Sequence, residues 1–290
     1  MVCLHLTSAP PVGIHIERMH SAITISLVPE ARGGPFVFWG DLAAGCQQAA
    51  SFGFDAVEIF LRSAAELDAG RIKRSLEQHH LKLAAMGTGA GWLVHKLRLT
   101  DPDPALRRRA REFIASIIDL AGGFGAPAII GSMQGRWGED VSRDQALGWL
   151  TEAFEELAPR AQTHGVPLLF EPLNRYETNL INNVEDSLVF LEGLRAQNIR
   201  LLCDLFHMNI EETSIADALR RAGARLDHVH FADSNRQAVG LGHTDTAPLV
   251  EALRDINYTG YLSAEILPLP DSDTAAEQTI TSFRKWFSKS

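Results

Sequence analysis

The chain has 290 residues, 46% of them hydrophobic and 22% charged, with 36 acidic against 27 basic side chains and a formal charge of −9. This is the balance of a soluble protein with a large core and argues against disorder, and no apolar run approaches the ~20 residues that span a bilayer. The negative charge disfavours bulk attraction to nucleic acid. Three scattered cysteines, Cys3, Cys46 and Cys203, are too few for a disulfide framework and point to a reducing cytoplasm. The N-terminal stretch, broken by Pro10, Pro11, His15, Glu17 and Arg18, lacks the apolar centre of a secretion signal.

Along the chain, short β-rich runs at 22–27, 56–60, 81–86, 128–131, 167–171, 200–204, 227–231 and 261–266 alternate with helical periodicity at 38–52, 63–79, 104–124, 142–164, 184–197, 214–222, 247–256 and 275–287. Polar side chains suited to free backbone N–H groups stand at several helix starts: Asp101 ahead of Pro104, Asn183 ahead of Glu185, and Ser214 ahead of Asp217. Such groups also complement the positive end of the helix dipole. The strand runs are continuously apolar, as parallel strands covered on both faces are. Eight strand–helix units in this length predict an α/β protein built as a single (β/α)8 TIM barrel, for which roughly 250 residues are typical. No Gly-x-Gly-x-x-Gly follows the first strand, as a dinucleotide-binding fold would require. Residues 1–20 are read as an N-terminal extension, disordered or otherwise outside the barrel, and 21–290 as the barrel catalytic domain. The segment 87–99 is expected to form an irregular loop over one barrel end.

A barrel of this kind builds its site at the carboxyl ends of the strands, so the polar residue that ends each apolar run matters most. The last four runs end in Glu171, Asp204, His230 and Glu265. Any one of these alone reads more simply as a cap, a salt bridge or a core histidine. In succession they would place three mutually repelling carboxylates on one rim, which one divalent ion resolves. Hard oxygen and nitrogen donors suit Mn²⁺, Mg²⁺ or Co²⁺. Glu177, His207 and Arg236 follow these strands in loops where substrate contacts arise.

The blocks EPLNRYE (171–177), DLFHMNIEE (204–212) and HVHFADSNR (228–236), completed by Glu265 in YLSAEIL, resemble the xylose-isomerase-like barrel superfamily, and within it the ketose 3-epimerases that act on tagatose and psicose. The resemblance implies that Glu171, Asp204, His230 and Glu265 are metal ligands. It also implies that Glu171 and Glu265 are the acid/base pair, and that Glu177, His207 and Arg236 hold the sugar. Leu205 stands where these epimerases carry a small polar residue, and the loops 131–136 and 240–245 differ from theirs, so the chemistry is implied more firmly than the sugar.

The expected activity is therefore proton abstraction beside a ketose carbonyl through a metal-stabilised enediolate. The expected partner is a small sugar or sugar phosphate, with no nucleic acid or membrane, and the sequence leaves room for a homo-oligomer. A phosphosugar isomerase or an inosose-type dehydratase would use the same metal site. Arg136, or Gly240 and Gly242 with His243, is a candidate phosphate cradle. An abasic-site endonuclease-like protein is a further reading and would need early-strand ligands, for which Glu58 is the candidate and His79, His80 and His95 are poor ones. A non-catalytic sugar-binding barrel would not need two facing carboxylates. Trp92 and Trp137 could cover the site or pack elsewhere.

Overall fold

The computed structural model describes residues 18–138 and 140–287; most of the stretch read as an N-terminal extension (residues 1–17) lies outside them. The strands are β1 (His20–Ser26), β2 (Phe38–Trp39), β3 (Ala56–Phe60), β4 (Lys82–Gly87), β5 (Ala128–Ile130), β6 (Leu168–Phe170), β7 (Ile199–Asp204), β8 (Leu226–His230) and β9 (Tyr261–Ala264). All pair in parallel in the order β2-β1-β3-β4-β5-β6-β7-β8-β9, and β1 also pairs with β9. The sheet thus closes into the eight-stranded barrel expected, with β2 as a two-residue addition beside β1.

The helices are α1 (Leu42–Phe52), α2 (Ala69–Gln78), α3 (Ala90–Leu93), α4 (Pro104–Gly122), α5 (Arg143–Thr163), α6 (Val184–Glu192), α7 (Leu205–Glu211), α8 (Ile215–Ala222), α9 (Thr246–Asp255) and α10 (Ser272–Phe287). Their starts are set by side-chain caps. Asp41, Asn183 and Ser214 each accept a backbone N–H of the first turn, and Ser142 and Gln145 form a reciprocal capping box at α5. The predicted helix over 38–52 begins late because Phe38 and Trp39 pair with β1 and Gly40 turns the chain at φ 81°. Asp103, and not Asp101, caps α4; Asp101 instead accepts the backbone N–H of Asp103. Two short helices, α3 in the segment expected as a loop and α7 after β7, were not expected. No described helix is long and apolar enough to cross a membrane.

Two layers of packing follow from the two-residue period of a strand. Val57, Ile59, Leu168, Phe170, Leu201, Cys203, Val229 and Leu262 join the main core with the helices. The alternate residues form separate clusters, Ala85, Ile129, Leu169 and Leu202 and Ala22, Ala56 and Ala84, with the register shift between β3 and β4 letting consecutive Ala84 and Ala85 both turn inward. These fill the barrel interior. Glu58, Glu171, Asp204, His228, His230 and Glu265 share the inward parity of these small and branched residues, which is why polar groups are carried inside.

Candidate functional site

Glu171 follows β6 directly, Asp204 and His230 are the last residues of β7 and β8, and Glu265 follows β9 directly. Adjacent parallel strands with inward parity bring the four to one point. His230 Nδ1 lies 3.4 Å from Glu171 Oε1, 3.6 Å from Asp204 Oδ2 and 3.6 Å from Glu265 Oε2. One donor atom from each of the four falls within 4.8 Å of all the others.

Each side chain is held by its own element. Asp204 caps α7 by accepting the N–H of Phe206 at 2.8 Å through Oδ1, which leaves Oδ2 for the centre. The backbone of Glu171 is fixed at both ends, its N–H donating to Ile130 O and its C=O accepting from Gln134 Nε2. Its carboxylate enters beside Gly131, where a Cβ would stand 2.4 Å from Glu171 Oε2; only glycine leaves that space. Glu265 Oε2 accepts from Arg236 Nη2 at 2.6 Å.

Glu171 Oε1 and His230 Nδ1 are buried without any hydrogen-bond partner, an arrangement that costs about 1–3 kcal/mol per group unless something satisfies it. Burial works against the charge of Asp204, but His207, His230 and Arg236 outweigh it and hold the carboxyl well below the ordinary range. Glu265 is pushed up to about 7, by burial first and by Glu171 and Asp204, against the pull of His230 and Arg236. Burial would lower His230, yet Glu58, Glu265, Asp204 and Glu171 raise it well above its usual value. The cluster demands positive charge, which a proton on His230 or a bound cation can supply. Three carboxylates and one imidazole nitrogen, converging with partnerless atoms, fit a divalent cation.

The other sequence-selected residues lie at the same place. Asn174 Nδ2 donates to His207 Nδ1 at 2.7 Å, so the proton of the neutral ring sits on Nε2. That atom is buried and partnerless, 3.5 Å from Asp204 Oδ2. Arg236 adopts φ 59°, an uncommon backbone for a side-chain-bearing residue and a mark of functional sites. Its guanidinium lies over Phe206 and reaches Glu177 Oε1 at 3.5 Å and Asp204 Oδ2 at 3.5 Å. Glu171, Glu177, His207, His230, Arg236 and Glu265 line a cavity of about 410 Å³. Phe36, Phe60, Trp92, Leu93 and Leu173 add apolar surface to its lining.

Several sequence candidates lie elsewhere. Trp137 is tied by its backbone and indole N–H groups to Asn179 and is not part of the cavity wall. Arg136 is exposed and also outside it. The glycine-rich stretch at 240–244 is already occupied as an anion cradle: the N–H groups of Ser234, Gly240 and Thr244 donate to the Asp233 carboxylate. His79 and His80 stand at the end of α2, and His95 meets the Arg62 carbonyl. Glu58, weighed as an endonuclease ligand, does line the cavity, where it accepts from His228 Nε2 at 2.8 Å and His230 Nε2 at 3.2 Å. His228 had no role in the sequence reading. The signal was the His-x-His spacing of β8, which points both rings into the barrel.

A family model for the xylose isomerase-like TIM barrel matches residues 46–286. An L-ribulose 3-epimerase of Methylomonas sp. is 31% identical over 262 residues, covering 87% of this chain and 90% of that protein. A D-psicose 3-epimerase of Ruminiclostridium cellulolyticum is 32% identical over 228 residues, with 76% of each covered. The crystal structure of a D-allulose 3-epimerase from Methylomonas sp. superimposes with a TM-score of 0.79 at 27% identity, over 93% of this chain and 99% of that one. The chain therefore belongs to the xylose isomerase-like TIM-barrel family and, within it, to the ketose 3-epimerases, a group of sugar epimerases.

Proposed function

We propose that the chain is a divalent-metal-dependent ketose 3-epimerase, with Glu171, Asp204, His230 and Glu265 as ligands to one Mn²⁺, Mg²⁺ or Co²⁺ ion. The observation that carries this reading is the convergence of these four at the head of a sugar-sized cavity, with buried atoms left unpartnered. A divalent cation held there supplies stabilisation of the negative charge that collects on the ketose oxygens when the neighbouring carbon loses its proton.

Glu171 and Glu265 are the acid/base pair. One carboxylate takes the proton from the carbon beside the ketone as the C–H electron pair moves into the carbon–carbon bond. The other returns a proton to the opposite face, which inverts that carbon. His207 offers its Nε2–H to a substrate oxygen, while Arg236 braces Glu265 and, with Glu177, meets the sugar hydroxyls. The related Methylomonas epimerase has been crystallised with D-allulose, which supports a free ketose as the substrate class. Asp233 already fills the cradle that a phosphate would need at 240–244, a second argument for an uncharged sugar.

The test is metal analysis of the purified protein, followed by NMR of a ketose panel in D₂O before and after chelation. Deuterium at C3 together with the C3 epimer, lost on chelation and restored by Mn²⁺, is the expected result. Aldose formation or loss of water would favour the isomerase or dehydratase reading. No exchange on any free or phosphorylated ketose with metal loaded would overturn the proposal.

A further inference from the structure

From His230, one of the proposed metal ligands, a row of buried side chains continues to Glu58 and then His228. Glu58 projects from β3, two strands around the closed barrel from β9 and three from β8, and reaches across the interior to both imidazoles. The small residues Ala22, Ala56 and Ala84 surround the floor of that space. All three members of the row are at most 4% exposed. Each Glu58 oxygen has one partner: Oε1 faces His230 Nε2 at 3.2 Å and Oε2 faces His228 Nε2 at 2.8 Å.

This pairing determines which atom of His230 is offered upward. A carboxylate only accepts, so His230 Nε2 must carry a proton, and the lone pair of the neutral ring is then on Nδ1. Nδ1 is the atom that faces Glu171, Asp204 and Glu265 and has no hydrogen-bond partner. The rings of His228 and His230 pack edge to face, with centroids 5.6 Å apart, which restricts rotation of either. We infer that Glu58 and His228 are positioning residues for the metal centre: Glu58 sets the tautomer and ring angle of His230, and His228 holds Glu58 in the orientation that does so. This rests on the metal reading proposed above. Carboxylate–imidazole–metal rows of this kind orient the ligand and raise its basicity, and losing the outer partner commonly weakens metal binding 10- to 100-fold.

The same three side chains, Glu58, His228 and His230, also have donor atoms close enough to embrace a cation of their own. The positioning role requires that they do not, because a cation there would displace both Nε2 protons and leave Nδ1 of His230 without its fixed tautomer. One ion per chain and two ions per chain therefore separate the two arrangements.

The experiment is calorimetric titration of the metal-free full chain with Mn²⁺, for wild type and Glu58→Gln, with the visible spectrum of the Co²⁺-loaded forms and thermal melts of the metal-free forms. Glutamine keeps the shape and one acceptor but loses the charge and the second acceptor. One ion per wild-type chain is expected, with the dissociation constant raised 10- to 100-fold in Glu58→Gln, an altered Co²⁺ spectrum, and a metal-free melting temperature within a few degrees of wild type. A merely structural role would shift the melt and leave the Co²⁺ spectrum unchanged. If Glu58→Gln fails to fold, His228→Leu removes the support of Oε2 from the other side and is expected to weaken Mn²⁺ about tenfold. Variant affinity within twofold of wild type, or two ions per wild-type chain, would overturn the inference while leaving the metal-dependent epimerase intact. A wild-type chain that binds no Mn²⁺ would instead remove the metal reading, and this inference with it.

Discussion

Gly131 offers a direct test of whether the position of Glu171 governs turnover. Substitution by alanine adds one methyl group, which would stand 2.4 Å from Glu171 Oε2. An ordinary carbon–oxygen contact is roughly 3.4 Å or more, so the carboxylate must retreat about 1 Å. The backbone resists a larger rearrangement because the Glu171 N–H and C=O are both bonded, and the displaced oxygen belongs to the proposed base and ligand. A misplacement of about 1 Å in a reacting group can cost ~100-fold in rate, equivalent to ~2.7 kcal/mol of transition-state stabilisation. The assay is kcat/KM for epimer formation under saturating Mn²⁺, with a thermal melt alongside. The expected outcome is activity down about two orders of magnitude in a variant that still melts cooperatively as a folded protein. Wild-type turnover in Gly131→Ala would refute the claim that this carboxylate's position limits the reaction.

Glu265→Gln should lower kcat by roughly 10²- to 10⁴-fold and weaken Mn²⁺ binding, since the variant can neither exchange a proton nor offer an anionic donor; epimerisation at near wild-type rate with metal retained would contradict its assignment. Asp233 is brought down to about 2, because the backbone N–H groups of Thr244, Gly240, Ser234 and Gly242 outweigh the effect of burial. A depressed carboxyl contributes stability above its unfolded value, near 3.8, that is lost as pH falls through about 2. Asp233→Asn should therefore cost about 2 kcal/mol at pH 7, and its deficit against wild type in urea melts should shrink between pH 4 and pH 2; a deficit independent of pH would exclude the cradle as its source. Ser142→Ala breaks the capping box of α5 and should cost about 1 kcal/mol, seen as a drop of about 2–4 °C in melting temperature with kcat unaffected, because α5 contributes no side chain to the cavity wall.

The alternation of apolar runs with helical periodicity was enough to read the barrel, because parallel strands buried on both faces leave an unmistakable composition. The element edges were less legible. Phe38 and Trp39 fit a helical pattern and pair instead with β1, a long-range contact that local periodicity does not encode. The seven-residue α7 hid in a stretch whose polar residues looked like a loop, since its start depends on Asp204 acting as a cap while the same side chain turns its other oxygen to the site.

Sequence by itself determined that four strands in succession would end in Glu171, Asp204, His230 and Glu265, and the rule that such a fold gathers strand ends at one rim made their meeting predictable. Tertiary structure alone decided what lies beneath and beside them. That Glu58 reaches His228 and His230 from a strand 170 residues earlier, that Gly131 vacates the space Glu171 needs, and that Asp233 fills the glycine-rich cradle all depend on barrel closure. Closure sets neighbours by strand order and inward parity, and no spacing along the chain records which side chains will then share the interior.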